Sequence, residues 1–478
     1  MERKTKIIAT LGPAVASFEG ICGLIEAGMN VARLNFSHGT HESHAQMIEW
    51  VHGAADKLER PIAILQDIQG PRIRVGSFAG GEIELSDGDI IHLEPGTDSM
   101  DGSTIFVENL QHVTLSAGSP ILLADGLIGL EVTGVDGTRV TTRVVEGGTV
   151  KDHKGVAFPG SAMTLPAVTG KDEADLAFGQ EQEVDYVAVS FVSSGSDIRD
   201  VRRIIGSDTP IIAKIESTIG YKNLDDILDE AYGAMVARGD LGVELSFESV
   251  PRAQKDILTR ANARARLTIT ATEMLESMTH SSRPTRAEVT DVFGAVLDGS
   301  DAVMLSGETA VGKYPQRTVA AMDRICREAE QSSRYGQTVP VEFTSDDARF
   351  AVATSQACVE AADSLGLRAI VAFTESGSTA RLISKYRPKA DIYAYTPTTR
   401  TYRRMALYSG VRPGVFRRVD STDEMILYAE HQLLEEGIVQ KGDGVVMAAG
   451  IPPNQAASTN LMKLHSIGST IVGVPTGD

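Results

Sequence analysis

The chain has 478 residues, 42% of them hydrophobic and 23% charged, which is the composition of a soluble globular protein of two or three domains. Lys plus Arg total 45 against 64 Asp plus Glu, a formal charge of -19 that disfavours nucleic acid and anionic membrane as partners. Cys22, Cys326 and Cys358 are odd in number and widely spaced, so neither a disulfide framework nor a thiolate metal site is expected, and a reducing compartment such as the cytoplasm fits.

At the start, Arg3, Lys4 and Lys6 precede an apolar stretch that loosely imitates an export leader. Gly12-Pro13 interrupts it, and no apolar run reaches the ~18 residues of a membrane span, so Ile7 to Leu11 is expected to be a buried strand. From Ile7 to Ile68 the order reads strand, helix, strand, helix, strand, with helices over Phe18 to Ala27, ended by Gly28, and over His41 to Leu58. After Gly70-Pro71 the texture changes to short alternating runs punctuated by Asp87-Gly88, Asp101-Gly102, Asp125-Gly126 and Asp136-Gly137, with a hairpin over Glu131 to Val145. This all-β insert hangs from a loop and is placed to act as a lid.

Helix and strand resume at Lys171, and five further apolar runs between Asp185 and Ser306 bring the count to eight. Right-handed crossovers close such a series into a parallel TIM (β/α)8 barrel. Beyond Pro340 a separate doubly wound α/β pattern follows: helix Asp347 to Leu365, strand Ala369 to Phe373, helix Ser378 to Tyr386, strand Ile392 to Tyr395, and onward to Val474. The expected division is barrel over 1–70 and 167–340, β-rich lid over 71–166, and C-terminal α/β domain over 341–478.

The eight runs stop at Thr10, at Arg33/Asn35/Ser37, at Asp67, at Ser190, at Lys214/Glu216, at Arg238/Asp240, at Thr272/Glu273 and at Ser306/Glu308. Strand C-termini are where a barrel gathers its reactive side chains. Lys214 and Glu216 alternate on one face, offering a cation and a carboxylate together, although a simple ion pair at the rim has the same pattern. Gly239 lets backbone N-H groups approach an anion, and Asp240 with Glu216 would suit Mg²⁺, which takes one or two protein carboxylates and completes its shell with substrate and water. Arg33, Asn35 and Ser37 at alternate positions present a guanidinium and two neutral oxygens. Thr272, Ser306 and Glu308 could orient a proton, or the two hydroxyls could cap the helices that follow.

These residues resemble one family along nearly the whole chain, the pyruvate kinases. The resemblance is carried by Thr10 to Pro13, Ala32 to Gly39, Lys214-Ile215-Glu216, Met235 to Gly242, Ala271 to Met278, Arg283 to Glu288 and Met304 to Ala310. It implies transfer of the phosphoryl group of phosphoenolpyruvate to ADP, followed by protonation of enolpyruvate. It further implies that Lys214 neutralises the phosphoryl group in flight, that Arg33 contacts that group, that Glu216 and Asp240 hold Mg²⁺, and that backbone near Gly239 and Asp240 cradles the substrate carboxylate. Thr272 then lies beside the enolate, with Ser306 and Glu308 in a proton relay. Asn35 and His38 match nucleotide-contacting positions, and Arg74 and Lys154 match positions that contact the nucleotide or the transferred phosphate. Asn35, Ser37, Asp67 and the carbonyl of Ile68 match K⁺-binding positions. Arg72 stands where many relatives have glutamate, and its guanidinium leads to an expectation of weak or absent K⁺ dependence.

Ser217 and Glu273 replace a usual asparagine and glutamine without removing a named catalytic group. In the C-terminal domain, Thr374, Ser376, Ser378 and Thr379 match the family's allosteric phosphate pocket, so a sugar-phosphate or nucleotide activator is expected, together with a homotetramer. The rival readings are another Mg²⁺-dependent barrel enzyme of phosphoenolpyruvate or pyruvate, such as a carbon-carbon lyase, which the lid argues against, and a phosphometabolite sensor without turnover.

Overall fold

A computed structural model describes residues 3–97, 103–337, 339–342, 346–419, 421–451 and 458–469. The expected turn at Asp101-Gly102 and the end of the α/β pattern at Val474 lie outside them.

Strands Lys6–Thr10, Val31–Asn35, Ala63–Ile68, Tyr186–Val189, Ile211–Ile215, Gly233–Ala237, Leu267–Ala271 and Ala302–Leu305 form a closed, all-parallel barrel, the last strand pairing with the first. Nearly every residue of these strands is buried, as expected where helices cover the outer face and packed side chains fill the inner one, so the sequence shows continuous apolar runs rather than alternation. Local chemistry sets the helix starts. Ser17 caps Phe18–Ala27 by accepting from the Gly20 N-H at 3.0 Å, and reciprocal capping boxes at Thr40/Ser43, Thr169/Asp172 and Thr285/Glu288 open three others. The helix expected to reach Leu58 ends at Lys57 with Leu58 as its cap.

Between the third and fourth barrel strands lies the β-rich insert. Six of its strands form one sheet around a core that includes Leu93, Ile105, Ile121, Leu130 and Val140. The expected hairpin is Ile128–Asp136 against Arg139–Glu146, with register shifts between Gly129/Leu130 and Val132/Gly134 that bend it. Gly70, at φ +67, turns the chain out of the barrel, and a Cβ there would meet the Ser190 carbonyl oxygen at 3.0 Å. The Gly70 N-H donates to Asp172 Oδ1 at 3.1 Å, so exit and re-entry of the insert are tied together.

The C-terminal sheet runs Val411–Val415, Asp391–Thr396, Ala369–Phe373, Gly444–Ala449, Leu461–Ser466, parallel except for the last strand. Its core is continuous with the barrel floor: Tyr186, Met235 and Ile269 belong to the same buried cluster as Ile370, Ile392 and Tyr408. Polar contacts pin the junction as well. Tyr186 donates to the Arg404 carbonyl at 2.7 Å, and Lys4 Nζ donates to the carbonyls of Pro388, Lys389 and Ala390 at 2.5, 2.7 and 3.1 Å. Asp301, at the foot of a barrel strand and fully buried, holds Lys385 at 2.5 Å and Arg387 at 2.8 Å.

Burial pushes the Asp301 carboxyl up, but Lys385 and Arg387 more than reverse this and hold it below its ordinary value. Its stabilising charge is therefore full above the unfolded carboxyl's pKa of ~3.9 and is lost as pH falls through the lower folded value. Asp301→Asn leaves two buried cations without their anion and is expected to cost about 3 to 5 kcal/mol in denaturant unfolding at neutral pH. A cost below about 1 kcal/mol would mean that the cluster relaxes into water.

Candidate active site

At the C-terminal mouth of the barrel, the second, third and fifth strands bring four charged groups into direct contact. Asp67 is shared: its Oδ2 accepts from Arg33 Nε at 2.7 Å and its Oδ1 lies 3.2 Å from Lys214 Nζ. Lys214 Nζ also lies 3.0 Å from Glu216 Oε1 and donates to Ser190 Oγ at 2.7 Å. The Ser190 hydroxyl in turn donates to the carbonyl of Ile68 at 2.8 Å, and Arg33 Nη1 donates to Thr10 Oγ1 at 2.9 Å. The cluster is buried, so its charges act with little screening.

Burial raises Asp67, yet Lys214 and then Arg33 outweigh it and hold the carboxyl below its usual range. Burial lowers Lys214, but Asp67 and Glu216 together raise it, so the ammonium keeps its proton. Glu216 goes the other way: burial raises it, Lys214 offsets part of that, and Asp240 adds a further upward push. The Asp240 carboxylate, close enough to raise buried Glu216, makes with it a pair of acids suited to a divalent cation. Glu216 Oε2 accepts from the Phe191 N-H at 2.7 Å, which orients it, while Asp240 is about a third exposed and is met by Arg72 Nη2 at 3.6 Å. Glu216 and Asp240 thus fit a Mg²⁺ ion completed by ligand oxygens. Among the described residues no cluster of three or more His, Cys, Asp or Glu could hold a metal ion.

Arg238 builds the opposite rim. Its guanidinium donates to the Thr272 carbonyl at 2.7 Å and to the Glu273 carbonyl at 3.1 Å, and pairs with Asp291 at 2.7 Å. Thr272 and Glu273 are held left-handed, at φ +64 and +52. A β-branched residue rarely adopts that conformation, so surrounding contacts must hold it there. The Thr272 hydroxyl accepts from the Gly239 N-H at 2.8 Å and donates to the Ala271 carbonyl at 2.6 Å. A Cβ on Gly239 would meet nothing nearer than Thr272 Oγ1 at 3.7 Å, so no protein neighbour demands a glycine, and the bare backbone leaves room for a ligand.

Two readings from the residues are corrected. Ser37 does not extend the face of Arg33 and Asn35, because the strand ends at Asn35 and the chain turns; the Asn35 side-chain oxygen accepts the Ser37 N-H at 3.1 Å. Ser306 does not cap with its side chain: it precedes Gly307–Ala310, but its Oγ is buried without a partner among the described residues. Glu308, fully buried, accepts the N-H groups of Leu275 at 3.1 Å and Ser306 at 2.6 Å, and so clamps two mouth loops together.

The remaining positions are spread wider. His38 is exposed. Arg74 and Lys154 belong to the insert, where the Val75 N-H donates to the Lys154 carbonyl at 2.9 Å and Arg74 donates to the His153 carbonyl at 2.7 Å. A cavity of about 80 Å³ between insert and mouth is lined by Arg72, Phe158, Met163, Phe191 and Asp240. In the C-terminal domain, Thr374 Oγ1 accepts the Gly377 N-H at 2.9 Å, Ser376 and Ser378 bond each other at 3.2 Å, and Thr379 pairs with Thr459 at 2.7 Å. Ser190 and Phe191 carry contacts to Lys214 and Glu216 that the sequence reading left without a role; the apolar run ending at Ser190 was the available signal.

The pyruvate kinase barrel-domain model matches residues 2–319, and the pyruvate kinase alpha/beta-domain model matches residues 352–465. A pyruvate kinase of Bacillus licheniformis is 44% identical over 477 residues, covering 98% of this chain and 81% of that protein. One of Clostridium acetobutylicum is 41% identical over 472 residues, covering 97% of this chain and 100% of that protein. The crystal structure of a pyruvate kinase from Cryptosporidium parvum superposes with a TM-score of 0.89 at 36% identity, covering 97% and 96% of the two chains.

Proposed function

The chain belongs to the pyruvate kinase family, phosphotransferases that form pyruvate and ATP from phosphoenolpyruvate and ADP, and on that basis we propose how its own residues divide the work. The observation that carries the reading is the Lys214 ammonium, buried between Asp67, Glu216 and Ser190 at the barrel mouth. A nucleotide oxygen forms the new P-O bond, the bond from phosphorus to the enol oxygen breaks, and its electron pair stays on the enolate. Two anions must meet, and their repulsion of ~1 kcal/mol per charge pair at 4 Å in water grows several-fold in a drier cleft. Lys214 and Arg33 supply fixed positive charge to the transferring group, and Asp67 keeps both oriented. Mg²⁺ held by Glu216 and Asp240 would neutralise phosphoryl and carboxylate oxygens when bound.

Backbone at Gly239 and Asp240 receives the substrate carboxylate. The proton that completes pyruvate reaches the enolate carbon from the side of Thr272 and Ser306; the unpartnered Ser306 Oγ supports an ordered water there, while Glu308 holds the loops that frame it. Asn35, His38, Arg74 and Lys154 engage the nucleotide when the insert, residues 71–166, closes as a lid over the barrel formed by 1–70 and 167–340. The test is formation of pyruvate and ATP from phosphoenolpyruvate, ADP and Mg²⁺. A lyase or a sensor would form no ATP.

Arg72, over the Phe191 ring at 5.8 Å and beside Asp240, puts a permanent cation at the mouth. Turnover is therefore expected to persist when potassium is replaced by tetramethylammonium. Collapse of activity under that exchange would assign the missing charge to K⁺ bound by Asn35, Ser37, Asp67 and the Ile68 carbonyl. The domain over 341–478 is read as regulatory, with a sugar phosphate or nucleotide received by Thr374, Ser376, Ser378 and Thr379. An activity titration with sugar phosphates and AMP tests this. A homotetramer, measured by sedimentation, is the family expectation. A cytoplasmic setting is supported by three free, buried cysteines, and among the described residues no helix is long and apolar enough to cross a membrane.

A further inference from the structure

A second concentration of positive charge lies far from the mouth, at the junction of barrel floor and C-terminal domain. A cavity of about 340 Å³ there is lined by Arg202, Thr209, Tyr232 and Arg266 from the barrel and by Ser376 and Arg404 from the C-terminal domain. Arg381 flanks it, its guanidinium 4.7 Å above the Tyr232 ring, and Arg400 donates to Thr209 at 3.1 Å. Arg266 and Arg404 spend what bonds they have on the Asp229 and Asp185 backbone carbonyls. Buried donors are left over: Nε of Arg266, Arg381 and Arg400 and Nη2 of Arg404 have no hydrogen-bond partner among the described residues.

The nearby acids are engaged by other arginines: Glu230 by Arg199 at 2.8 Å and Arg202 at 2.9 Å, Asp185 by Arg403 at 3.0 Å and Asp229 by Arg264 at 3.6 Å, while Asp208 is an exposed rim residue. Burial followed by the charge of Arg381 lowers Arg266 to about 10, and burial followed by Arg400 lowers Arg404, so these cations strain each other. In a chain of net charge -19, such a half-buried cationic group with idle donors is unusual.

We propose that this interdomain cavity is a binding site for a phosphate-bearing anion, gripped by Arg266 and Arg404 from opposite domains. Guanidinium forks match phosphate oxygens, an anion would satisfy the idle donors, and the volume has room for a small organic group beside the Tyr232 ring. Ser376 joins the cavity to the loop that opens helix Ser378–Lys385, whereas Thr379 on that helix pairs with Thr459 and does not line the cavity; the site does not depend on the assignment of the barrel mouth.

The experiment is calorimetric titration of the full chain with inorganic phosphate and, separately, with glycerol 3-phosphate. Arg266→Gln and Arg404→Gln are each expected to weaken one binding event by about tenfold or more, while Thr379→Ala and Lys214→Met leave that event in place. Tighter binding of glycerol 3-phosphate would mark a phosphate ester as the occupant, and equal binding would mark phosphate itself. Ligand-free Arg266→Gln should melt within a few degrees of the parent, because the single bond it gives up, to the Asp229 carbonyl, is offset by removal of a charge crowded by Arg381. Binding unchanged in both arginine variants, or abolished by Thr379→Ala instead, overturns the proposal.

Discussion

Lys214→Met is expected to lower kcat by about 10²- to 10³-fold, the scale of losing one preorganised charge contact to a transition state. The ammonium is within 3.2 Å of Asp67 and 3.0 Å of Glu216, so its removal also leaves two buried carboxylates facing each other. Breaking such a group costs about 3 to 5 kcal/mol. The two effects separate by pH. In the parent, Asp67 is held below its usual range, so its charge stabilises the fold above ~3.9 and loses that contribution as pH falls through the folded value. In the variant both carboxyls shift upward, and part of the stability should return on mild acidification, whereas turnover should not. Near-parental kcat in the variant at neutral pH would remove Lys214 from the mechanism.

Asp240→Asn comes next in expected size. Altering groups that merely support a metal ligand costs about 10- to 100-fold in affinity, so removing a carboxylate ligand should raise the half-saturating Mg²⁺ concentration by about 10²-fold or more. Asp240 is about a third exposed and 3.6 Å from Arg72, an ion pair of small energetic worth, so thermal unfolding should barely move. A Mg²⁺ activation curve that coincides with the parental one would show that Asp240 is not a ligand.

The barrel was legible because each strand is buried on both faces and ends at a polar side chain, leaving eight apolar runs with visible stops. Helix starts were legible for a local reason: Ser17 caps its own helix through a side chain three residues away from its partner. What stayed hidden depends on contacts across long sequence separations. Asp67 reads as one polar terminus among eight, yet it is the group that both Arg33 and Lys214 grip, 34 and 147 positions away. Ser306 looks like a cap by sequence, and only the packing around it leaves its hydroxyl without a partner. The positive φ of Thr272 and Glu273 was equally unreadable, because it is imposed by Arg238 from the preceding barrel strand's end.

The continuity of apolar packing from Tyr186, Met235 and Ile269 into Ile370, Ile392 and Tyr408 has a practical consequence for anyone dissecting the molecule. Cutting the gene near codon 340 would expose greasy surface on both fragments, together with Asp301 on one piece and its two cationic partners on the other. Neither half should then behave as an independent soluble unit, and the pair should recover only when co-expressed.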